Sequence, residues 1–147
     1  MKFRKVLPVL MVAACLTGCA KEVSYADFNA AAKAVEAITY TYASVTLKGK
    51  ASHDGTVETV NQSYKYTKGL LAWTPTELDW TSTFLSLIVN SSPAGVAEHE
   101  DAKYYAGGSF KFVYGTDTYE WNGYGYATKY VMAGESENYT VTLSWHK

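Results

Sequence analysis

The fold is decided by residues 39–68, which read TYTYASVTLKGKASHDGTVETVNQSYKYTK. In the first half, apolar and polar residues alternate, so that Val45 and Leu47 fall on one side of an extended chain. This period of two predicts a strand with one buried face. His53-Asp54-Gly55 marks a turn, and Thr56–Thr67 is again rich in threonine, valine and tyrosine. The stretch therefore predicts a long antiparallel β-hairpin.

Further short strands are predicted after residue 101, because glycine and asparagine turns divide stretches rich in aromatic and β-branched residues. The predicted strands are Ala102–Tyr105, Ser109–Tyr114, Thr118–Trp121, Tyr124–Met132 and Tyr139–His146. The last one alternates, with Val141, Leu143 and Trp145 on the same side as Tyr139. A meander of antiparallel strands is the simplest assembly of these segments.

One helix is predicted ahead of the hairpin. Ser24 followed by Asp27 has the form of a helix N-cap, and apolar residues recur on one face from Phe28 to Ile38. This spacing predicts a helix over residues 25–37.

A second helix is predicted after the hairpin, beyond a short strand at Leu70–Trp73. Thr74 as the cap, Pro75 at the first helical position and Glu77 at the third form a capping box. Leu78, Phe84, Leu85, Ile88 and Val89 then supply an apolar face for the helix.

The order helix, hairpin, short strand, helix, meander predicts an α+β domain. We expect a curved antiparallel sheet, open like an incomplete barrel, with two helices packed on its concave face. A helix at Tyr25–Ala37 leading straight into Tyr40–Lys50, together with the turn Trp121–Tyr126, resembles the LolA/LppX-type lipoprotein fold. That resemblance implies a concave side that holds helices and, in some members, a hydrophobic ligand.

The N-terminus has the layout of a signal peptide. Basic residues at Lys2, Arg4 and Lys5 precede an apolar run from Val6, and the run ends in Leu16-Thr17-Gly18-Cys19. The run is shorter than the roughly 20 residues that span a bilayer. Its end resembles the lipobox of bacterial lipoproteins, which implies that Cys19 receives diacylglycerol and becomes the new N-terminus. An ordinary secretory peptide cleaved near Gly18 is the alternative.

This interpretation divides the chain into a signal peptide (1–18), a tether (19–24) and a single α+β domain (25–147). The protein is then expected on the extracytoplasmic face of the cell membrane. Ala20 after the cysteine is compatible with outer-membrane sorting in an organism with two membranes, by resemblance to known lipoproteins.

Processing at Cys19 would remove three of the thirteen basic residues, including the only arginine. Ten basic residues would remain against fourteen acidic ones, which makes the mature chain net negative. A chain of that charge lacks the cationic surface that nucleic-acid binding requires, so nucleic acid is not an expected partner. Cys15 leaves with the signal peptide and Cys19 would carry the lipid. We therefore expect no disulfide and no cysteine nucleophile.

The C-terminal third is unusually rich in aromatic residues, whose large apolar bodies and polar tips suit a cavity or a contact surface. The same residues also favour strands and stabilise cross-strand pairs without any ligand, which is the structural alternative. The candidate ligand-binding residues are Phe110, Phe112, Tyr114, Trp121, Tyr124, Tyr126 and Tyr130. A contiguous exposed patch of the last three would indicate a surface for binding partners.

No catalytic residue is predicted, because the chain has no Gly-x-Ser-x-Gly, no His-Glu-x-x-His and no glycine-rich phosphate loop. The run Glu98-His99-Glu100-Asp101 has ligands that a divalent cation accepts, but such runs are usually solvated loops. No metal site and no cofactor are therefore predicted.

Two functions remain open from the sequence, beside the less favoured alternative of a hydrolase with no identifiable motif. The first is a non-catalytic, membrane-anchored protein that binds or carries a hydrophobic small molecule. The second is a surface module that binds a protein of the cell envelope or a cell-wall glycan through exposed tyrosines. The two differ in where the aromatic side chains point, into a cleft or outward as a stripe.

Overall fold

An open sheet of nine antiparallel strands is the framework of the computed structural model, which describes residues 20–147. The strands are β1 (Lys21–Val23), β2 (Tyr42–His53), β3 (Thr56–Lys68), β4 (Trp73–Pro75), β5 (Lys103–Ala106), β6 (Phe110–Tyr114), β7 (Asp117–Trp121), β8 (Ala127–Ala133) and β9 (Asn138–His146). Their order in the sheet is β1-β5-β6-β7-β8-β9-β2-β3-β4. The predicted α+β class with a curved, open sheet is confirmed.

The hairpin predicted from residues 39–68 is confirmed. β2 and β3 pair without interruption from Tyr42 opposite Thr67 to His53 opposite Thr56. Asp54 (φ 53°) and Gly55 (φ 78°) both take positive φ values, as a two-residue hairpin turn requires. The apolar residues of the alternation are buried at the centre of the sheet, and Val45 and Leu47 are fully inaccessible to solvent.

The predicted meander is also confirmed, because β5 to β9 pair one after another in chain order. β9 then pairs with β2, which places the hairpin beside the meander. Along β9 the residues Tyr139, Val141 and Leu143 are buried, so the alternation predicts the buried face correctly. β1 and β4 are the two edges of the sheet.

The first helix, α1, spans Tyr25–Lys33 and lies on the concave face against β5. Ser24 caps it as predicted, since its hydroxyl accepts a hydrogen bond from the Asp27 N–H at 3.1 Å. The predicted end at residue 37 is wrong. The chain turns toward β2 at Ala34, and the carbonyl of Ile38 accepts the Tyr126 hydroxyl at 2.7 Å instead of a helical N–H.

The second helix, α2, spans Trp80–Val89, and the capping box predicted at Thr74 is wrong. Asp79 is the cap, with its carboxylate accepting from the Ser82 N–H and its own N–H donating to the Ser82 hydroxyl, both at 2.8 Å. Thr74 and Pro75 lie in β4. The Asn90 side chain holds β4 there, because it bonds both the N–H and the carbonyl of Trp73.

The predicted strand at Leu70–Trp73 is mostly a turn, in which the Gly69 N–H donates to the Ala72 carbonyl at 2.7 Å. Of the residues in this predicted strand, only Trp73 belongs to β4. Leu70 and Leu71 project from this turn and are 95% and 89% exposed.

The two ends of the sheet carry different segments. One end, the hairpin end, has the β2–β3 turn (54–55), the β6–β7 turn (115–116) and the β8–β9 turn (134–137). The opposite end, the N-terminal end, has Ala20, the β3–β4 turn (69–72), the β5–β6 turn (107–109) and the β7–β8 turn (122–126).

Acidic residues are concentrated at the hairpin end, as the strand register and the neighbouring loops show. Those residues are Asp54, Glu58, Asp79, Glu98, Glu100, Asp101, Asp117, Glu135 and Glu137. Lys68 and Lys147 lie at the opposite end, next to the last residues of β3 and β9. Glu36 and Glu120 also lie at that end, beside Lys68 and Lys111, so the long axis of the sheet runs from a negative end to a nearly neutral one.

Ordered structure begins earlier than the predicted tether over residues 19–24 implies. Lys21, Glu22 and Val23 pair with Ala106, Tyr105 and Tyr104 of β5. The predicted signal peptide and Cys19 lie outside the described residues. Within residues 20–147, neither helix is long and apolar enough to cross a membrane.

Candidate functional site

The structure separates the seven aromatic candidates into three groups. Phe110, Phe112, Trp121 and Tyr130 are buried on the concave face of the sheet. Tyr114 lies at the hairpin end, 44% exposed, with its ring stacked on His99 at 4.5 Å. The remaining two, Tyr124 and Tyr126, belong to the β7–β8 turn at the opposite end.

Four aromatic rings, called here the aromatic row, cross the concave face on neighbouring strands. They are Phe112, Tyr119, Tyr130 and Tyr139, on β6, β7, β8 and β9 in turn. Successive ring centroids are 6.1, 4.6 and 5.9 Å apart. These distances are typical of favourable aromatic contacts, so the row forms one continuous apolar surface.

The hydroxyls of the row have one carboxylate partner. The Tyr130 hydroxyl donates to the Asp117 Oδ1 at 2.9 Å. Burial is the main cause that raises the pKa of Tyr139 to about 12 and holds the pKa of Tyr130 well above its ordinary range. The row is therefore uncharged at neutral pH, which suits contact with apolar groups.

We expect the folded protein to lose stability as the pH rises above about 10, where tyrosines of the unfolded chain ionise. Tyr139 and Tyr66, whose pKa values burial raises to about 12, stay neutral in the fold. Their contribution to stability is complete below the pKa that tyrosine has in the unfolded chain. It disappears as the pH rises through the higher pKa that these two tyrosines have in the folded protein. Alkaline titration of phenolate absorbance should therefore show a late, cooperative step that coincides with loss of the near-ultraviolet dichroism.

Tyr139→Phe should reduce the amplitude of that late step, whereas Tyr124→Phe, at a 41% exposed position, should leave it unchanged. A single early transition containing all tyrosines would contradict the burial of the row.

The first cleft, of about 680 Å³, opens at the hairpin end. Its walls are the end of β2 (Ala51–His53), the start of α2 and the beginning of β9. Phe84 of α2 meets Tyr139 of the aromatic row edge to face at 5.8 Å. At the mouth, the imidazole of His53 stacks on the indole of Trp80 at 4.5 Å. Leu78 also lines this cleft although it is 82% exposed, so its side chain is available to an occupant.

Two carboxylates, Asp79 and Glu137, lie at the rim of the first cleft. Hydrogen bonds from the Ser82 N–H and the Tyr64 hydroxyl hold the pKa of Asp79 below its ordinary value, with the Ser82 bond the larger cause. Asp79 is therefore ionised at neutral pH. Glu137 accepts the Ser52 N–H at 3.2 Å. The rim is consequently a poor environment for an anionic group.

The second cleft, of about 480 Å³, lies toward the other end of α2. Phe112 and Tyr119 of the aromatic row line it, together with Trp121, Leu87 and His99. The Trp121 Nε1–H donates to the Ser91 hydroxyl at 3.1 Å, which fixes the indole in the wall. Tyr139 lines the first cleft and Tyr119 the second, and the buried Tyr130, which lines neither, lies between them.

The β7–β8 turn is a separate feature. Asn122 Oδ1 accepts the N–H groups of Tyr124 and Tyr126, and the Tyr126 hydroxyl bonds the Ile38 carbonyl. Tyr124 is 41% exposed, Tyr126 is half-buried and Tyr130 is only 5% exposed. These three tyrosines therefore do not form the contiguous exposed patch that a surface-binding module would need.

Sequence reasoning missed Tyr119, Tyr139, Trp80 and Leu87 as possible ligand contacts. Trp80, Phe84 and Leu87 repeat at the i, i+4, i+7 spacing of one helix side. That stripe is only partly covered, since Leu87 is 76% exposed. Helical spacing alone predicts a buried stripe, so the sequence gives no sign that this one borders a cleft.

The acidic run at residues 98–101 is a loop ahead of β5, where the His99 N–H donates to the Tyr104 hydroxyl at 2.7 Å. Within residues 20–147, no group of three or more histidine, aspartate and glutamate side chains is arranged to hold a metal ion. No protein-family model, curated protein or solved structure matches this chain. The resemblance to the LolA/LppX-type fold stays a prediction.

Proposed function

We propose that this protein is a lipid-anchored, extracytoplasmic binding protein whose first cleft holds the apolar part of a small amphiphile. The observation that carries the proposal is the first cleft, an open space of about 680 Å³ with apolar walls from Leu78, Trp80, Phe84 and Tyr139. Apolar and aromatic walls of this kind stabilise a hydrocarbon chain or a flat aromatic group.

The size of the clefts fits this class of ligand. Their volumes of about 680 and 480 Å³ lie within the range of roughly 300–1,000 Å³ that small-molecule pockets occupy. Each buried methylene contributes about 0.8 kcal/mol. Micromolar binding needs about 8 kcal/mol, so roughly ten methylenes must be buried even before the costs of association are included.

The rim of the first cleft limits the polar end of the ligand. Asp79 and Glu137 would repel a carboxylate or phosphate head group held beside them. A neutral head group has no such penalty, and a cationic one is attracted by the same two carboxylates. We therefore assign the clefts to neutral or amine-bearing amphiphiles in preference to fatty acids.

Displacement of the neutral probe N-phenyl-1-naphthylamine tests this assignment, with residues 20–147 purified without detergent. Three competitors of equal chain length differ only in the head group: dodecylamine, dodecanol and dodecanoate. We expect dodecylamine and dodecanol to compete at least tenfold better than dodecanoate. Absence of probe binding, or a preference for dodecanoate, would count against the proposal.

A matched pair of leucine variants locates the binding. Leu78 and Leu70 are both exposed, but only Leu78 lines the first cleft. Leu78→Ser should weaken probe binding about fivefold to tenfold, or about 1 kcal/mol, which corresponds to partial burial of the leucine side chain by the probe. Leu70→Ser should leave the dissociation constant unchanged. Equal effects of the two substitutions would place the probe elsewhere.

The alternative function, a surface module that binds an envelope protein or a glycan through exposed tyrosines, has less support. Of the three tyrosines it relies on, only Tyr124 is exposed. The aromatic side chains turn mainly into the concave face, which favours the ligand-binding proposal.

A further inference from the structure

The chain enters the sheet at a defined place on the N-terminal end. Ala20 lies beside the β5–β6 turn, where its Cα is 4.0 Å from the position a Cβ on Gly107 would take. The next turn packs on the first, because Gly123 lies directly against the Gly108 carbonyl. The sheet begins one residue after Ala20, at Lys21, so the described part of the chain starts at this end.

The two most exposed apolar side chains of the described residues lie at the same end. Leu70 and Leu71 project from the β3–β4 turn at 95% and 89% exposure. The turn is rigidly mounted, because its Gly69 N–H bonds the Ala72 carbonyl and Trp73 is held by Asn90. Leu71 lines a cavity together with Tyr124, which connects the leucines to the turns around Ala20.

Exposure of two adjacent leucine side chains to water on a fixed turn is energetically unfavourable. Burial of each leucine side chain would contribute about 1.5–3 kcal/mol, and no residue of the described fold supplies that burial. The acidic hairpin end is repelled by an anionic bilayer, whereas at the N-terminal end Lys68 and Lys147 offset the nearby Glu36 and reduce this repulsion. The exposed leucines, the proposed lipid anchor and the distribution of charge thus all favour contact between the N-terminal end and a bilayer.

We propose that the N-terminal end docks on the lipid bilayer and that Leu70 and Leu71 insert between the acyl chains. The orientation in the cell rests on the proposed lipid anchor, but insertion of the turn is a property of the described residues. In this orientation the first cleft, at the hairpin end, points away from the membrane. Ligand would then enter from the aqueous side and not laterally from the bilayer.

Vesicle sedimentation with residues 20–147, which lack Cys19, tests insertion without the anchor. The vesicles contain phosphatidylcholine with a minor fraction of phosphatidylglycerol, and no cleft ligand is present. We expect the double variant Leu70→Ser, Leu71→Ser to partition at least tenfold more weakly than the parent. Val57→Ser, at a 42% exposed valine of the hairpin end, should partition like the parent.

A site-specific probe gives a second readout that does not depend on the stability of the variants. Residues 20–147 contain no cysteine, so Leu71→Cys and Val57→Cys can each carry a single bimane label. Bimane emission should shift to the blue on vesicle addition at position 71 and stay constant at position 57. No vesicle binding by the parent, or equal shifts at both positions, would overturn the inference.

These outcomes are independent of the ligand-binding proposal. Failure of probe displacement leaves the vesicle result intact, and failure of vesicle binding leaves the cleft assignment intact. Binding that persists in the double variant and is abolished by salt would show attraction by lysines alone, and would likewise overturn insertion of the leucines.

Discussion

Replacement of Gly49 by alanine is expected to reduce the free energy of unfolding by about 3–5 kcal/mol. Gly49 lies in the middle of β2, opposite Val60 on one side and Tyr139 on the other, at φ +134°. A Cβ at this position would overlap the Asn138 carbonyl and the backbone of Tyr139. Because these atoms belong to the paired β9 strand, relief requires separation of β2 from β9. Urea denaturation followed by circular dichroism measures the loss.

Gly55→Ala is the matched control for this prediction. Gly55 also has a positive φ, +78°, but a Cβ there has no atom within 4 Å. Its substitution should therefore cost only the backbone strain, about 1 kcal/mol. Similar losses for the two variants would mean that β9 does not approach Gly49 closely, and the position of Tyr139 in the first cleft would need revision.

The strands could be predicted from the sequence because their pattern has one physical cause. A sheet with one buried face imposes a period of two, and a shift of one residue would expose every apolar side chain. Val45, Leu47 and Val141 are all fully buried, as the alternation of β2 and β9 requires. Hairpin and meander follow from the same constraint.

The predicted start of α2 at Thr74-Pro75 is wrong although the sequence there satisfies the local rule for a capping box. In the structure Asp79 caps the helix, and Ser82 completes a capping box with it. Tertiary contacts decide between the two caps, since pairing of Trp73–Pro75 with β3 and the two Asn90 bonds keep the first candidate extended. No local pattern contains that information.

The candidate site was predicted only in part for a similar reason. Phe112 and Tyr130 are in the aromatic row, but Tyr119 and Tyr139 join them only through the registers of β6 with β7 and β8 with β9. Tyr124, close to Tyr130 in sequence, lies in the turn at the other end of the sheet. Residues that meet across four strands cannot be grouped by their spacing along one.

Truncation of Phe28 to alanine is the second change with a large expected effect, a loss of about 3–5 kcal/mol in the free energy of unfolding. Phe28 is fully buried, and its ring lies 5.5 Å from Tyr104 and 5.7 Å from Phe110. It is the main attachment of α1, a helix of nine residues that is too short to persist alone. The variant should therefore lose the docking of α1 as well as the packing contacts of the removed ring. Hydrogen exchange of residues 25–33 would detect the loss of the helix.

Phe84→Ala separates this effect from the general cost of removing a phenyl ring. Phe84 is only partly buried, and its one close ring contact, with Tyr139, faces the first cleft. Its truncation should cost about 1–2 kcal/mol in stability, because much of the ring is already in contact with water. If Phe84→Ala proved as destabilising as Phe28→Ala, the first cleft would be part of the closed core, and the space proposed for a ligand would not exist. A clear difference between the two variants is what an open cleft beside a tightly packed α1 requires.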